Sequence, residues 1–342
     1  MSDQSFKQPA RAPALAEIVI GLSAVIVAAD AQGPLSLCAR DARFDGAEGL
    51  PFGPFNPRAD RTFELALRNW VSSQTGFDIG YVEQLYTFGD RGRDLPRAAM
   101  SDEGRAQGER IISIGYLALA PEPSPILRSD AGWRGWYRHF PWEDWRKGRP
   151  PRIDLRLAPA LAAWTKGRAA LVDRMESLFA LNDRPWNEER ALDRYELLYE
   201  AGLVQEAHRD RGLEPRADAP VADWGEPMPS DHRRILATAI GRLRAKVKYR
   251  PVIFELLPPR FTLSHLQRVA EGVIGLRLHT QNFRRALARA GLVEGLDAVE
   301  ADTGGRPAQL FRFRREAIPV ASALGLATPL QRPRKENGAD AS

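Results

Sequence analysis

Cysteine is almost absent. Cys38 stands alone among 342 residues, which excludes an intramolecular disulfide and leaves no cysteine cluster for zinc or iron–sulfur chemistry. A reducing cytoplasm is the simplest home for such a chain. Long apolar runs are missing as well, because no stretch approaches the roughly 18 apolar residues that a membrane-spanning helix needs. The run Ile18–Ala29, IVIGLSAVIVAA, can imitate a secretory signal, since Lys7 and Arg11 precede it and Ala29-Asp30-Ala31 offers a small-residue cleavage site. Its β-branched content, its Gly21 and Ser23, and a second strand candidate at Leu35–Ala39 across the turn-like Asp30–Pro34 predict a core hairpin instead.

What is present is a globular composition, 44% hydrophobic and 27% charged, in a chain long enough for two domains with their own cores. Residues 1–14 and 317–342 read as largely disordered tails. Charge is unevenly placed. The whole chain has a net charge of +5, yet Asp231–Glu316 alone holds 17 Lys or Arg against 8 Asp or Glu, so the remainder is net acidic. Local basicity of this kind marks a candidate nucleic-acid surface, the plainer alternative being the solvated face of an ordinary α+β domain.

That basic stretch also carries a pattern. Thr262 can cap a helix with Leu263, Leu266, Ala270, Val273 and Ile274 at helical spacing, closed by Gly275. Thr280 can cap a second helix, with Phe283, Ala286, Leu287 and Ala290 on one side and Gln281, Arg284, Arg285 and Arg289 on the other. Leu292–Glu294, a polar interval ending in Gly304 and Gly305, and a strand Ala308–Arg314 follow. Two helices and a basic hairpin describe a winged helix. Its second helix would enter the DNA major groove with Thr280, Gln281, Asn282, Arg284, Arg285 and Arg289, and Arg306 on the wing would meet phosphate or the minor groove. Upstream, Asp231–Lys248 predicts a basic amphipathic helix with Ile235, Leu236, Ile240 and Leu243 inward, connecting this reader to what precedes it.

From Gly49 to Phe88 a Pro/Gly loop leads into a helix with Phe63, Leu67, Trp70 and Val71 on one face, closed by Gly76, and then into a strand at Tyr81–Phe88. This order resembles a Nudix domain. Anchored on Gly76-Phe77, the closing Gly-apolar pair and Val71 fit the Nudix box, and its charged positions do not. Asn69 and Trp70 stand where the box has Arg-Glu, Ser73 and Gln74 replace the two metal-binding glutamates, and Arg61 takes the place of the early Glu. Diphosphate hydrolysis in that family needs glutamates on one helix face to hold hard divalent cations. Neither Ser nor Gln supplies the lost charge, so the resemblance implies a retained fold, a lost reaction, no catalytic residues and no bound metal.

The runs Tyr81–Asp94 and Arg110–Leu119, together with Arg250-Pro-Val-Ile-Phe-Glu-Leu-Leu-Pro258, Phe261-Thr-Leu, Asn282-Phe-Arg-Arg and Gly305-Arg-Pro-Ala, resemble the Nudix-related transcriptional regulators of NAD metabolism, the NrtR type. An enlarged middle is similar to their NadQ branch in α-proteobacteria. The resemblance implies a cytoplasmic homodimeric repressor of NAD biosynthesis genes that binds a palindromic double-stranded operator and requires no cofactor. Its effector would be an NAD-related nucleotide such as NAD, ADP-ribose or ATP. Arg40, Arg91 and Arg93 are candidates for its pyrophosphate, and Trp70 and Phe88 for the pocket border.

The expected fold is therefore α+β: a Nudix-like α/β/α sandwich over 15–230 with a helical insertion at about 150–212, then a C-terminal winged helix-turn-helix domain with its linker helix over 231–316. Within Ile153–Gly212 two or three helices are expected. The tryptophans Trp133, Trp136, Trp142 and Trp145 belong either to a core or to a ring-stacking ligand site. A rival reading is an active hydrolase of ADP-ribose or a related diphosphate drawing carboxylates from Asp90, Asp94, Asp102, Glu103 and Glu109. An RNA-binding or scaffold protein is permitted by the charge but suits a wing and a basic helix poorly.

Overall fold

The computed structural model describes residues 18–80, 82–90, 110–126, 128–214, 221–300 and 307–317. The expected tails, Arg91, Arg93, Arg306 and the carboxylates Asp94, Asp102, Glu103 and Glu109 lie outside them.

Alternation along β1 (Ile18–Ala29) divides the interior in two. Leu22, Ala24 and Ile26 join one core with Leu67, Val71, Ile114 and Tyr116. Val25, Val27 and Ala29 point to the other face and join a second with Leu85, Phe88 and Leu117. Around β1 run β2 (Pro34–Arg40), β3 (Glu48–Gly49), β4 (Phe52–Pro54), α1 (Phe63–Thr75), β5 (Val82–Phe88), β6 (Arg110–Leu119) and β7 (Ala131–Gly135). The sheet order is β3-β2-β1-β6-β5, with β4 also beside β1 and β7 beside β2. β1 and β2 form the expected antiparallel hairpin, Val27 opposite Ser36, while β1 and β6 are parallel. Thr62 caps α1 by accepting from the Leu65 amide, and Gly76, at φ 69°, ends it in the left-handed conformation a glycine adopts without strain.

The helical insertion begins ahead of the expected residue 150, directly after β7: it holds α2 (Trp136–His139), α3 (Ala158–Thr165), α4 (Ala169–Phe179), α5 (Ala191–Glu200) and α6 (Gln205–Asp210), followed by α7 (Val221–Trp224). Four of these helices fall within Ile153–Gly212, more than the two or three expected. Lys166 and Gly167, at φ 49° and 72°, break the apolar series Leu161–Leu178 into α3 and α4. Trp136 and Trp142 are 0% exposed and belong to the core. Trp145 lies against Trp186, ring centroids 4.3 Å apart. Burial removes the first two from any ligand-stacking role.

The long helix α8 (His232–Tyr249) covers the sheet face opposite α1 and also packs on α5 and α9. Ile235, Leu236, Ile240 and Leu243 are buried as expected, but so are Arg233 and Arg244, at 1% and 0% exposure. The helix is an interior element with contacts on several sides, and the expected solvent-facing basic stripe is interrupted by these two arginines. After it come β8 (Phe261–Thr262), α9 (Leu263–Ile274), α10 (Thr280–Ala290), β9 (Val293–Glu300) and β10 (Ala308–Phe313), a winged helix whose sheet has the order β8-β10-β9. The polar interval expected after Glu294 is in part strand, because β10 supplies cross-strand partners as far as Glu300.

The second core is continuous. It runs from Val25 and Leu117 through Trp142, Leu178 and Leu198 to Ile240, and on to Leu266, Phe283 and Leu292. Among the described residues no helix is long and apolar enough to cross a membrane.

Candidate nucleic-acid interface and nucleotide pocket

Two stretches of surface carry the chemistry expected from the sequence. The first is α10. Phe283 and Leu287 anchor it in the core, so helical periodicity turns Thr280, Gln281, Asn282, Arg284, Arg285 and Arg289 outward, and all six are exposed. Among the described residues no carboxylate pairs with Arg284 or Arg285, while the Arg289 Nε donates to the Arg285 carbonyl oxygen. Thr280 is not the cap: His279 occupies that position, and the Thr280 hydroxyl instead accepts from the Gln267 side chain of α9 at 3.2 Å. The turn is further held by Glu271, which accepts from the Leu278 amide at 3.0 Å. On the wing Phe313 stacks on Phe254, centroids 4.2 Å apart, which fixes β10 against the core. Arg312 is paired with Glu294 and Arg315 with Glu255. Within the described residues the unpaired positive charge of this domain is therefore concentrated on the helix more than on the wing.

The second is a pocket of about 330 Å³ beside the C-terminal half of α1, lined by Arg40, Arg43, Trp70, Gln74, Arg128 and Asp130 with their neighbours Asp41, Ala42 and Ser73. Two sequence candidates, Arg40 and Trp70, come together here. Phe88 does not. A register shift in β5 between Gln84 and Tyr86 places Leu85 and Phe88 on the same side, so Phe88 is 2% exposed in the α8-facing core with the Arg234 guanidinium 5.0 Å from its ring. Arg43 and Arg128 were not singled out by sequence reasoning. The only local signal was the Asp41-Ala-Arg43 spacing, and Arg128 arrives through the pairing of β7 with β2.

The pocket is built from short-range chemistry. Asp41 pairs with Arg43, and Arg128 with Asp130 at 3.0 Å. Burial opposes the Asp41 charge, but its hydrogen bonds with Arg43 outweigh that and hold the carboxyl below its usual range. Among the described residues the Arg40 guanidinium has no ion-pair partner. Arg43 also donates to the Phe52 carbonyl at 2.6 Å and lies 5.1 Å and 5.4 Å from the Phe52 and Trp70 rings. Trp70 donates from its indole to the Pro54 carbonyl at 3.1 Å. An arginine-rich rim beside an indole suits a ligand with anionic oxygens and a flat ring.

A Nudix hydrolase would hold divalent cations on this helix, and the donors present do not fit that role. Gln74 is tied to the backbone of Phe52, accepting from its amide at 2.9 Å and donating to its carbonyl at 2.6 Å. Ser73 donates to the Trp70 carbonyl at 3.0 Å. Glu64, the one acid in α1, is bridged to Arg68 at 2.6 Å. Among the described residues no three His, Cys, Asp or Glu side chains cluster to hold a metal.

With this geometry in view, residues 253–313 match the family described as the NrtR DNA-binding winged helix domain. The match covers the winged helix. A stretch of 83 residues, 24% of the chain, is 41% identical to the ADPR responsive transcriptional repressor NtrR of Acinetobacter baylyi and spans 33% of that protein's length. The crystal structure of Shewanella oneidensis NrtR complexed with a 27mer DNA superposes with a TM-score of 0.51 at 20% identity, covering 88% of this chain and 95% of that one. The chain thus shares the fold of that structure, a Nudix-like domain followed by a winged helix.

Proposed function

We propose that the protein is a DNA-binding transcriptional repressor whose Nudix-like domain, over residues 15–230, binds ADP-ribose or a related nucleotide without hydrolysing it, and whose reader, over 231–316, releases DNA in response. The observation that carries this reading is the α10 face, where Gln281, Asn282, Arg284, Arg285 and Arg289 are exposed together on a helix anchored from beneath. Gln and Asn match adenine edges and Arg matches guanine edges in the major groove. Arg306, outside the described residues, is assigned to the wing contact. For the effector, the support is the Arg40, Arg43 and Trp70 pocket and the response to ADP-ribose named for the Acinetobacter relative. Coupling requires that the nucleotide favour one arrangement of the readers over another.

We further assign the repressor to NAD biosynthesis genes, acting in the cytoplasm as a homodimer on a palindromic operator, with no metal and no cofactor beyond its effector. The test is a gel-shift titration with upstream DNA of NAD biosynthesis genes, repeated with ADP-ribose, NAD, ATP and nicotinate. Nanomolar binding that weakens with one of the nucleotides supports the reading. Indifference to every such operator at any nucleotide concentration ends it, and magnesium-dependent release of AMP from ADP-ribose at enzymatic rates would replace it with a hydrolase.

A further inference from the structure

The last turn of a helix leaves carbonyl oxygens without partners in the helix itself. At the C-terminus of α9 these oxygens are met from outside the winged helix. The Tyr137 hydroxyl donates to the Gly272 carbonyl at 2.6 Å, Arg244 Nε donates to the Val273 carbonyl at 3.0 Å, and the Trp145 amide donates to the Gly275 carbonyl at 2.8 Å. Tyr137 and Trp145 belong to the insertion and Arg244 to α8. Contact is close enough that a Cβ on Gly275 would lie 2.6 Å from the Glu143 carbonyl oxygen, and one on Gly272 would lie 3.3 Å from the backbone of Gly33.

At the centre of this junction is Glu143. Its carboxylate is gripped by Arg194 of α5 at 2.5 and 2.8 Å and by Arg244 at 2.5 Å, with all three side chains 0% exposed. Burial opposes its charge, but the two facing guanidiniums outweigh that and keep it ionised. One carboxylate holds two buried guanidiniums, so losing Glu143 would leave two buried positive charges uncompensated, and the three groups are tied to one another.

The same helix that presents Arg244 begins behind the pocket lining. His232, its first residue, accepts from the Leu50 amide at 3.2 Å, and its ring lies 5.5 Å from that of Phe52, whose carbonyl receives Arg43 and whose ring carries it. Twelve residues on, at about 18 Å along a continuous helix, stands Arg244. A stiff rod thus joins Phe52, which supports the pocket residue Arg43, to the end of the helix that precedes α10.

We infer that Glu143, with Arg244 and Arg194, is the positioning residue that fixes the DNA-reading helix relative to the nucleotide pocket, and that effector control of DNA binding passes through this buried triad. The inference rests on the proposed function and deepens it. The insertion then serves as a bracket: a shift of α8 at His232 is delivered to α9 and, through the Gln267 and Glu271 contacts, to the start of α10.

The test compares Glu143→Gln, which keeps the size of the side chain while removing its charge and exchanging one acceptor oxygen for a donating amide, with wild type. Readouts are ADP-ribose affinity by calorimetry, operator affinity, and the ratio of operator affinities without and with ADP-ribose. Expected are nucleotide affinity within about threefold of wild type, and a ratio reduced at least fivefold. A folded variant with a wild-type ratio overturns the inference. Should Glu143→Gln fail to fold, Tyr137→Phe removes a single hydroxyl from the same junction and must lower the ratio at least twofold; an unchanged ratio there overturns it equally. Failure of the proposed function itself appears earlier, as a wild-type protein whose operator binding ADP-ribose does not alter.

Discussion

Gly53 lies against the indole of Trp70: a Cβ built on it would come within 2.0 Å of the ring atoms. The missing side chain on β4 is therefore what allows Trp70 to lie flat along the pocket and reach the Pro54 carbonyl. Gly53→Ala is expected to displace the indole and weaken ADP-ribose binding at least tenfold, measured by calorimetry, while operator affinity without nucleotide stays within threefold. Wild-type nucleotide affinity in the alanine variant would remove Trp70 from the pocket's function.

Arg285 projects from α10 with no carboxylate partner among the described residues. Arg285→Ala should cost about 1–3 kcal/mol of specific DNA affinity and relax one operator position if the side chain reads a guanine. A uniform loss across operator variants, with a shallower dependence on salt, would assign it to phosphate instead.

Gln74 occupies the position where the Nudix pattern has a glutamate, and both ends of its amide bond the Phe52 backbone. Gln74→Glu loses the donor and faces a carboxylate oxygen against the Phe52 carbonyl. The expected result is a loss of about 1–3 kcal/mol in stability by denaturant unfolding, with no magnesium-dependent cleavage of ADP-ribose. Hydrolysis restored by this one substitution would show that the helix had kept the rest of a metal site.

Burial, with help from the nearby Arg209 charge, lowers the His232 pKa to about 3. The unfolded histidine takes up its proton near pH 6.5 and the folded one does not until about pH 3, so this group's contribution to stability is present above pH 6.5 and is lost as pH falls through that window. Between pH 7 and pH 5 the loss should be about 2 kcal/mol. His232→Gln should flatten that part of the stability profile; an unaltered pH slope would place the titration elsewhere.

Local signals in the sequence were dependable where the structure is local. The β1–β2 hairpin announces itself in β-branched residues and the Asp30–Pro34 turn, and Gly76, Thr262 and Gly275 mark helix ends because caps act within one turn of chain. The outward face of α10 follows from periodicity alone. Phe88, a candidate for the pocket border, lies in the α8-facing core instead, where a bulge in β5 puts it on the same side as Leu85. Thr280 lost its expected cap role to His279 because its hydroxyl has a tertiary partner in Gln267. Arg233 and Arg244 look like a solvated basic stripe until Glu206 and Glu143, 27 and 101 residues away, are found beside them. Sequence spacing carries no trace of such distant pairs, and Arg128 was hidden likewise because it reaches the pocket only through the pairing of β7 with β2.

The continuous second core bears on how such proteins can be recombined. A winged helix recognisable over 253–313 looks like a cassette that could be exchanged between regulators to redirect them to new operators. Here the cut would pass through Leu266, Val273 and Ile274, which share one interior with Trp142 and Ile240. A working chimaera would have to carry α8 and the Tyr137–Trp145 segment along with the winged helix, so the unit that can be exchanged is a block larger than the domain itself.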